Sequence, residues 1–536
     1  MDKGLYRDIA VAAAVLLYGA LDHVMGLRHH EPMLNMLGEL RKHRSSADVA
    51  IVGYGIVGSV VARLLAERGA RVMLIEAGSP LAAVPGTHLR NLPACRSDRA
   101  FHYDLVRACL RPASVPRPGG LPLSPGVPPM PEGNGVNAAQ RHRANLPAAP
   151  LTTVFGGMGA LWNCVAPRLD PQLEQWPGIP DREWERLYGV AESLLGVSLE
   201  ASQGSARQDF LLRQLAASGP APARPAPLAA HRLGEQPSAV RWTGPAEIIA
   251  DASADVRSRI EVLPCSAVRR LHLRGSRITN VDTVDLHTGS TRRVEADAFL
   301  VAAGGLRTPA LLWTSEIGRD RGNEAPLGRY LHEHPLAYAQ VALNPEALGS
   351  RTADAGPDPF VMIPVSDRRP IHSLLLCDGF DAAALEGRVD ERLIVSLYWY
   401  TMAEPRRENR VVFSDVATDV LGLPQPTFEY TLSPAERDRQ QDALEELRSV
   451  GSTLGSFLPG RPPQALSPGA SMHVLGTTRM GLSDDGESVT NSYGAVWGFS
   501  NLYIGGTGLL PQGSAANPTL AACALAVRTA ERMASS

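Results

Sequence analysis

One short stretch constrains the fold of this chain more than any other: DVAIVGYGIVGS, at residues 48–59. An apolar strand, Val49–Gly53, runs into a glycine turn and then into a helix-forming segment, Val57–Arg68. Gly53, Gly55 and Gly58 hold the G-x-G-x-x-G spacing. The first glycine permits the tight turn, and the second lets the backbone approach a pyrophosphate. The third lets helix and strand pack closely, and the helix N-terminus attracts phosphate charge. A second strand, Arg71–Ala77, carries Glu76 near its end, eighteen residues after Gly58, where a carboxylate accepts hydrogen bonds from a ribose. Strand, helix and acid in this register predict a dinucleotide-binding βαβ unit, without separating NAD from FAD.

The chain has 536 residues, enough for two or more domains. A formal charge of −3, with no long basic run, gives no reason to expect a nucleic-acid partner. Cys95, Cys109, Cys164, Cys265, Cys377 and Cys523 are scattered, with no CxxC pair and no histidine cluster beside them. That argues against a zinc site and a disulfide scaffold, so no metal is expected, and it suits a reducing cytoplasm. The apolar run Ile9–Leu21 is closed by Asp8 and Asp22 after thirteen residues. A membrane span needs roughly twenty, and MDKGLYRD lacks the character of a signal peptide. The run is expected to be a helix packed on the main body or on a partner subunit.

Residues 110–150 are rich in Pro and Gly and are expected to be loop, as is Gly219–Pro227. Helical spacing with an acidic start predicts a helix over Asp181–Val197. Strand-like segments return at 260–302 and at Arg392–Tyr400. In the tail, His473 lies in SMHVLGTTRMG and Asn517 in NLYIGGTGLLPQGSAANPTL, on opposite sides of a Gly-rich strand and turn. A neutral imidazole can take a hydroxyl proton while an amide fixes the oxygen. With the glycine turn, this pairing points to an alcohol-oxidising flavoenzyme.

Taken together, DVAIVGYGIVGS, LIEAG (74–78), VFGGMGALWNCVAPRLD (154–170), AAGGLRTPALLWTSEIG (302–318), ENRVVFSD (408–415) and MHVLGTTRMG (472–481) resemble the glucose–methanol–choline (GMC) oxidoreductases, and within them the pyranose oxidase branch. The resemblance implies an α/β fold: a Rossmann-like FAD-binding domain assembled from discontinuous segments, with an α+β sheet-based substrate domain. The expected division is a helical extension at 1–44; FAD-binding segments at 45–175, 255–335 and 470–536; and substrate-domain segments at 176–254 and 336–469. His473 matches the family's active-site base and Asn517 its partner. Gly157, Asn163, Val268, Gly506 and Thr507 join Gly53, Gly55, Gly58 and Glu76 as expected FAD-binding positions. Pro518 and Thr519 are expected to open a helix whose positive end faces the flavin ring.

The departures from the family pattern carry expectations of their own. Leu161 stands where pyranose oxidases commonly carry a flavin-linked histidine, so the FAD is expected to be non-covalent. Asn163 replaces a threonine near flavin and substrate. Asp378 matches a substrate-loop aspartate, whereas Leu374 replaces a glutamine and Tyr398 an arginine of the sugar pocket. A retained carboxylate without its guanidinium favours a cationic group, hence an amino sugar. The specific expectation is oxidation of a primary hydroxyl of an aminoglycoside precursor to an aldehyde, with O2 or another acceptor reoxidising the flavin. The alternatives are a pyranose or glycoside oxidase or dehydrogenase giving a keto-sugar, a flavin-containing lyase, and a non-catalytic subunit. Oligomerisation is compatible with the proline-rich segment.

Overall fold

Val49, Ile51 and Val52 suit an extended backbone buried on both faces, and they form the centre of the first strand, β1 (Ala47–Val52). The computed structural model describes residues 47–114, 137–141, 143–234, 239–318, 325–344, 358–377, 390–459 and 461–535. The expected helix at 1–44, the greater part of the proline-rich segment and Asp378 lie outside the described residues. After β1 come α1 (Ile56–Glu67) and β2 (Val72–Ile75), completing the βαβ start. Helix α2 (Asp181–Leu195) has acidic residues in its first turn and is capped by Gly196 at φ 63°, two residues short of the expected end at Val197. Four longer strands lie further on, β3 (Ile260–Leu263), β4 (Ser266–Arg274), β5 (Arg277–Asp285) and the long β6 (Thr291–Val301), followed by helix α3 (Gly304–Thr314).

These segments form one sheet. Strands β3, β2, β1 and β6 lie side by side in parallel, and β11 (Leu502–Ile504) adds to β6. The first half of β6 instead pairs antiparallel with β5, and β5 with β4. The purely parallel part is covered by helices, as such sheets require. Helix α1 packs against the last helix, α5 (Thr519–Ala534), inside the core that holds Val60, Leu64, Phe299 and Leu520.

A second sheet is antiparallel, with central order β7 (Leu336–Leu343), β10 (Ile394–Thr401), β9 (Ile371–Leu376) and β8 (Phe360–Ile363). Alternation decides its two faces. Val395, Leu397 and Trp399 point to helix α4 (Pro434–Leu454), with Leu444, Leu447 and Val450. Tyr398 and Tyr400, with Leu374 and Met362, lie in the cluster on the opposite face. Ser433 and Glu436 form a reciprocal capping box at the start of α4, at 3.0 and 2.8 Å.

Two loop expectations need correction. Within Gly219–Pro227, Arg224 and Pro225 form a short strand on the edge of this sheet, paired with Met362 and Val361. Proline is tolerated there because an edge strand leaves one side of its backbone unpaired. In the 110–150 segment, Arg111–Pro112 pairs with Pro150–Leu151, closing its base. No described helix is long and apolar enough to cross a membrane.

Candidate active site

The glycine turn sits where the parallel strand β1 ends and α1 begins. Gly53 has φ 105°, and a Cβ there would lie 2.5 Å from the Ala302 carbonyl oxygen. At Gly58 a Cβ would lie 2.0 Å from the Gly53 oxygen, so strand and helix approach too closely for any side chain. Gly55 caps α1 without a side-chain bond, leaving the helix's first N–H groups for a ligand. Glu76 accepts the Tyr54 N–H at 2.8 Å and the Gly78 N–H at 2.5 Å. A carboxylate has about four acceptor positions, so capacity remains for a ribose. Burial pushes its carboxyl up from the ordinary range, against the pull of those two donors. Buried Val268 lies on β4 just beyond Ser266, whose N–H donates to the Glu76 carbonyl at 2.8 Å.

The other end of the cradle is open too. A Cβ at Gly157 or Gly506 would meet nothing within 4 Å. Thr507 donates its hydroxyl to the Val474 carbonyl at 2.7 Å, tying that turn to the residue after His473. Pro518 is the N-cap of α5 and Thr519 its first residue, again with no side-chain cap. Asn163 is turned to its own loop, accepting the Val165 N–H at 3.0 Å. Buried Leu161 offers no nucleophile for a flavin bond. Open glycine backbone at Gly53–Gly58, Gly157 and Gly506, two uncapped helix ends and the buried acid Glu76 fit a dinucleotide cofactor such as the FAD that the resemblance implies.

His473 and Asn517 come together across 44 residues of chain, with Nε2 and the amide nitrogen 3.3 Å apart. Met472, just before the histidine, has φ 63°, a rare value for a residue with a side chain, and this turn aims the imidazole. The turn is braced from beneath. Ser471 accepts the His473 N–H at 3.2 Å, and its own N–H donates to Glu333 at 2.8 Å. Glu174 fixes the asparagine side, accepting the Ala515 and Ala516 N–H groups at 2.7 and 2.9 Å. Although His473 keeps some exposed surface, protein surrounds its ring, and desolvation pulls its pKa down to about 3. It is a neutral imidazole at any physiological pH.

Several residues of this centre escape the sequence reading. His334 Nδ1 lies 3.0 Å from His473 Nδ1. Its Nε2 lies 3.0 Å from Ser514 Oγ. The Tyr400 ring lies 5.5 Å from His473 and 6.3 Å from His372. Buried His372 lies against the Asn517 side chain. The available signal was LHEHP (331–335), whose His332 and His334 alternate as residues on an extended segment do. Tyr398 is placed on the same face, stacked on Tyr400 with centroids 6.0 Å apart and next to Tyr338 at 5.0 Å. Leu374 and Tyr398, the two departures from the sugar pocket pattern, are direct cross-strand partners. With Tyr400 they form an apolar and aromatic wall. A cavity of about 160 Å³ between Pro167, Met362, Val365, His372 and Ala516 adjoins this wall. A larger hollow of about 380 Å³, lined by Glu183, Tyr493 and Arg528, lies between α2 and α5 and holds none of this chemistry.

Comparison with known proteins bears on this geometry. Models of the GMC oxidoreductase family match residues 181–336 and 405–526, and one of FAD dependent oxidoreductases matches 48–111. Pyranose 2-oxidase of Lyophyllum shimeji is 30% identical over 94% of this chain and 95% of its own. C-glycoside 3-oxidase of Arthrobacter globiformis is 31% identical over 92% and 96%. 6'''-Hydroxyparomomycin C oxidase of Streptomyces lividus is 29% identical over 50% and 51%. The crystal structure of pyridoxine 4-oxidase from Mesorbium loti superposes with a TM-score of 0.61 at 21% identity, covering 91% of this chain and 99% of that one, a likeness of fold.

Proposed function

Because this chain belongs to the GMC oxidoreductase family and acts on CH–OH groups with FAD, we propose that it oxidises a secondary ring hydroxyl of a pyranose or glycoside to a keto-sugar. The observation that carries the reading is the His473–Asn517 pair at 3.3 Å, set beside a tyrosine wall at the open end of the cofactor cradle. The full-length relatives are named for oxidation at ring positions 2 and 3. The aminoglycoside reading has less behind it: a relative matched over half its length, and Asp378, which lies outside the described residues.

In this reading the substrate hydroxyl sits between His473 Nε2 and the Asn517 amide. Asn517 donates to the oxygen, and His473 Nε2 takes its proton as the carbonyl forms. The low pKa of the free ring keeps that lone pair available, since desolvation disfavours the charged form until substrate supplies a nearby anion. FAD, when bound, supplies the acceptor for the carbinol hydrogen as hydride. The uncapped N–H groups of α5 favour negative charge next to that site. Tyr398 and Tyr400 give an aromatic surface for the apolar face of a sugar ring, and Leu374 excludes water beside them.

The flavin is held without a covalent bond, so acid precipitation releases all of it into the supernatant. The deciding experiment is anaerobic mixing with glucose, a C-glycoside and a paromamine-type aminoglycoside, following flavin absorbance and identifying the product. Bleaching by a neutral sugar with a ketone product supports the reading. An aldehyde from the aminoglycoside alone overturns it in favour of primary-alcohol oxidation, and turnover with no bleaching points to a lyase.

A further inference from the structure

We propose that His334 is a positioning residue that holds His473 in its reactive tautomer. This rests on the oxidase reading, in which His473 Nε2 takes the hydroxyl proton. The two rings meet Nδ1 to Nδ1 at 3.0 Å, with their planes 68° apart. A hydrogen bond between two imidazole nitrogens needs a proton on one and a lone pair on the other, so the tautomer of one ring dictates that of its neighbour.

With the proton on His473 Nδ1, its Nε2 is bare and accepts from the Asn517 amide at 3.3 Å. His334 then carries its own proton on Nε2, where Ser514 Oγ accepts at 3.0 Å. Donation runs one way, from Asn517 through His473 and His334 to Ser514. With the Asn517 amide turned as it is, the reverse assignment sets an N–H of His473 against the amide NH₂, and in either amide orientation it leaves Nε2 without a lone pair. Neither ring can relieve the choice by charging, because burial holds both neutral.

The ring spacing is set by backbone, so the contact is built into the fold. The His332 N–H donates to the Leu475 carbonyl at 3.2 Å and the Leu475 N–H returns to His332 at 3.0 Å, two residues from the facing rings. Tyr400 lies against both rings, 6.2 Å from His334 and 5.5 Å from His473, closing the contact from water. When His473 gains the substrate proton on Nε2, its Nδ1–H stays bonded to a neutral acceptor. His334 thus orients the base without the large pKa rise that a carboxylate in its place would cause.

The test is ¹⁵N NMR of histidine-labelled holoenzyme, with the His473 signals assigned by their loss in His473→Asn. The proposal expects a protonated Nδ1 and a bare Nε2 in the resting wild type. A protonated Nε2 there overturns it before any His334 variant is made. His334→Asn puts an amide oxygen near the lost Nδ1 and is expected to keep both the tautomer and most of kcat. His334→Leu removes the acceptor and is expected to lower kcat about 10- to 100-fold with KM changed no more than about twofold. A Leu variant that binds flavin, keeps the wild-type tautomer and turns over normally overturns the assignment. Failure of every sugar to bleach the flavin would instead remove the oxidase reading, and the tautomer measurement would stand apart from it.

Discussion

Protonating His372 is the perturbation that most directly loads the packing behind the His473–Asn517 pair. The residue is 1% exposed; burial, with the charge of Arg369 acting in the same direction, pulls its pKa to about 3. In the unfolded chain the same ring titrates near 6.5. Between those values only the unfolded state binds the proton, so stability falls as pH falls. The contribution is whole above pH 6.5 and is lost at about 1.4 kcal/mol per unit on the way down to about 3. At pH 5 that amounts to about 2 kcal/mol from one side chain, against a total on the order of 5–15 kcal/mol for a folded protein. His88, at about 3, and His332, at about 4, act with the same sign. Glu333, raised to about 7 by burial, acts with the opposite sign: its contribution is whole below pH 4.5 and is lost as pH rises toward 7. The assay is a difference titration of native against urea-unfolded protein, comparing wild type with His372→Asn. The variant should take up about one proton fewer on unfolding at pH 5, and the same number at pH 8. An equal uptake at pH 5 would mean that His372 is already charged in the native state, and the desolvation argument would fail.

Three further outcomes are expected. His473→Asn should retain flavin but slow its anaerobic reduction by sugar roughly 10²- to 10⁴-fold, measured by stopped-flow absorbance. Gly58→Ala places a Cβ 2.0 Å from the Gly53 oxygen, so the turn must open. Its flavin dissociation constant, read by fluorescence on dilution, should rise roughly tenfold or more. Trp399→Phe deletes the donor that reaches Glu446 at 2.5 Å while the Arg369 pair at 2.6 Å remains. It should cost about 1–2 kcal/mol in urea unfolding with no change in the flavin spectrum.

What could be read in the chain before its structure follows from how local each requirement is. The strand, turn and helix around Gly53–Gly58 depend on a few consecutive residues, and so do the acidic start of α2 and the Gly196 stop. Arg224–Pro225 was legible only as loop, because pairing with Met362 is decided by an edge brought in from elsewhere. Family likeness pointed to His473 and Asn517, but nothing in either segment announced His334, 139 residues before its partner. The pairing of Leu374 with Tyr398 depends on register between two strands, so their substitutions look independent in sequence and adjacent in space. Glu333 and Glu174 were invisible for a different reason: their acceptors serve backbone N–H groups, which every residue carries.

The cofactor sheet is stitched from both ends of the chain. Val52 of β1 pairs with Val301 of β6, and Val301 in turn with Ile504 of β11. Each pairing closes a loop of some two hundred residues or more, an ordering cost that must be met before its contacts give anything back. The outer edge of β6 stays open until β11, some two hundred residues further on, has been made. Truncating the tail even a short way before Leu502 should therefore leave a sticky, aggregation-prone half-sheet rather than a smaller working enzyme. Supplying flavin to growing cells should raise the yield of intact protein by capturing the last closure, since a ligand that binds only the finished form draws the equilibrium toward it.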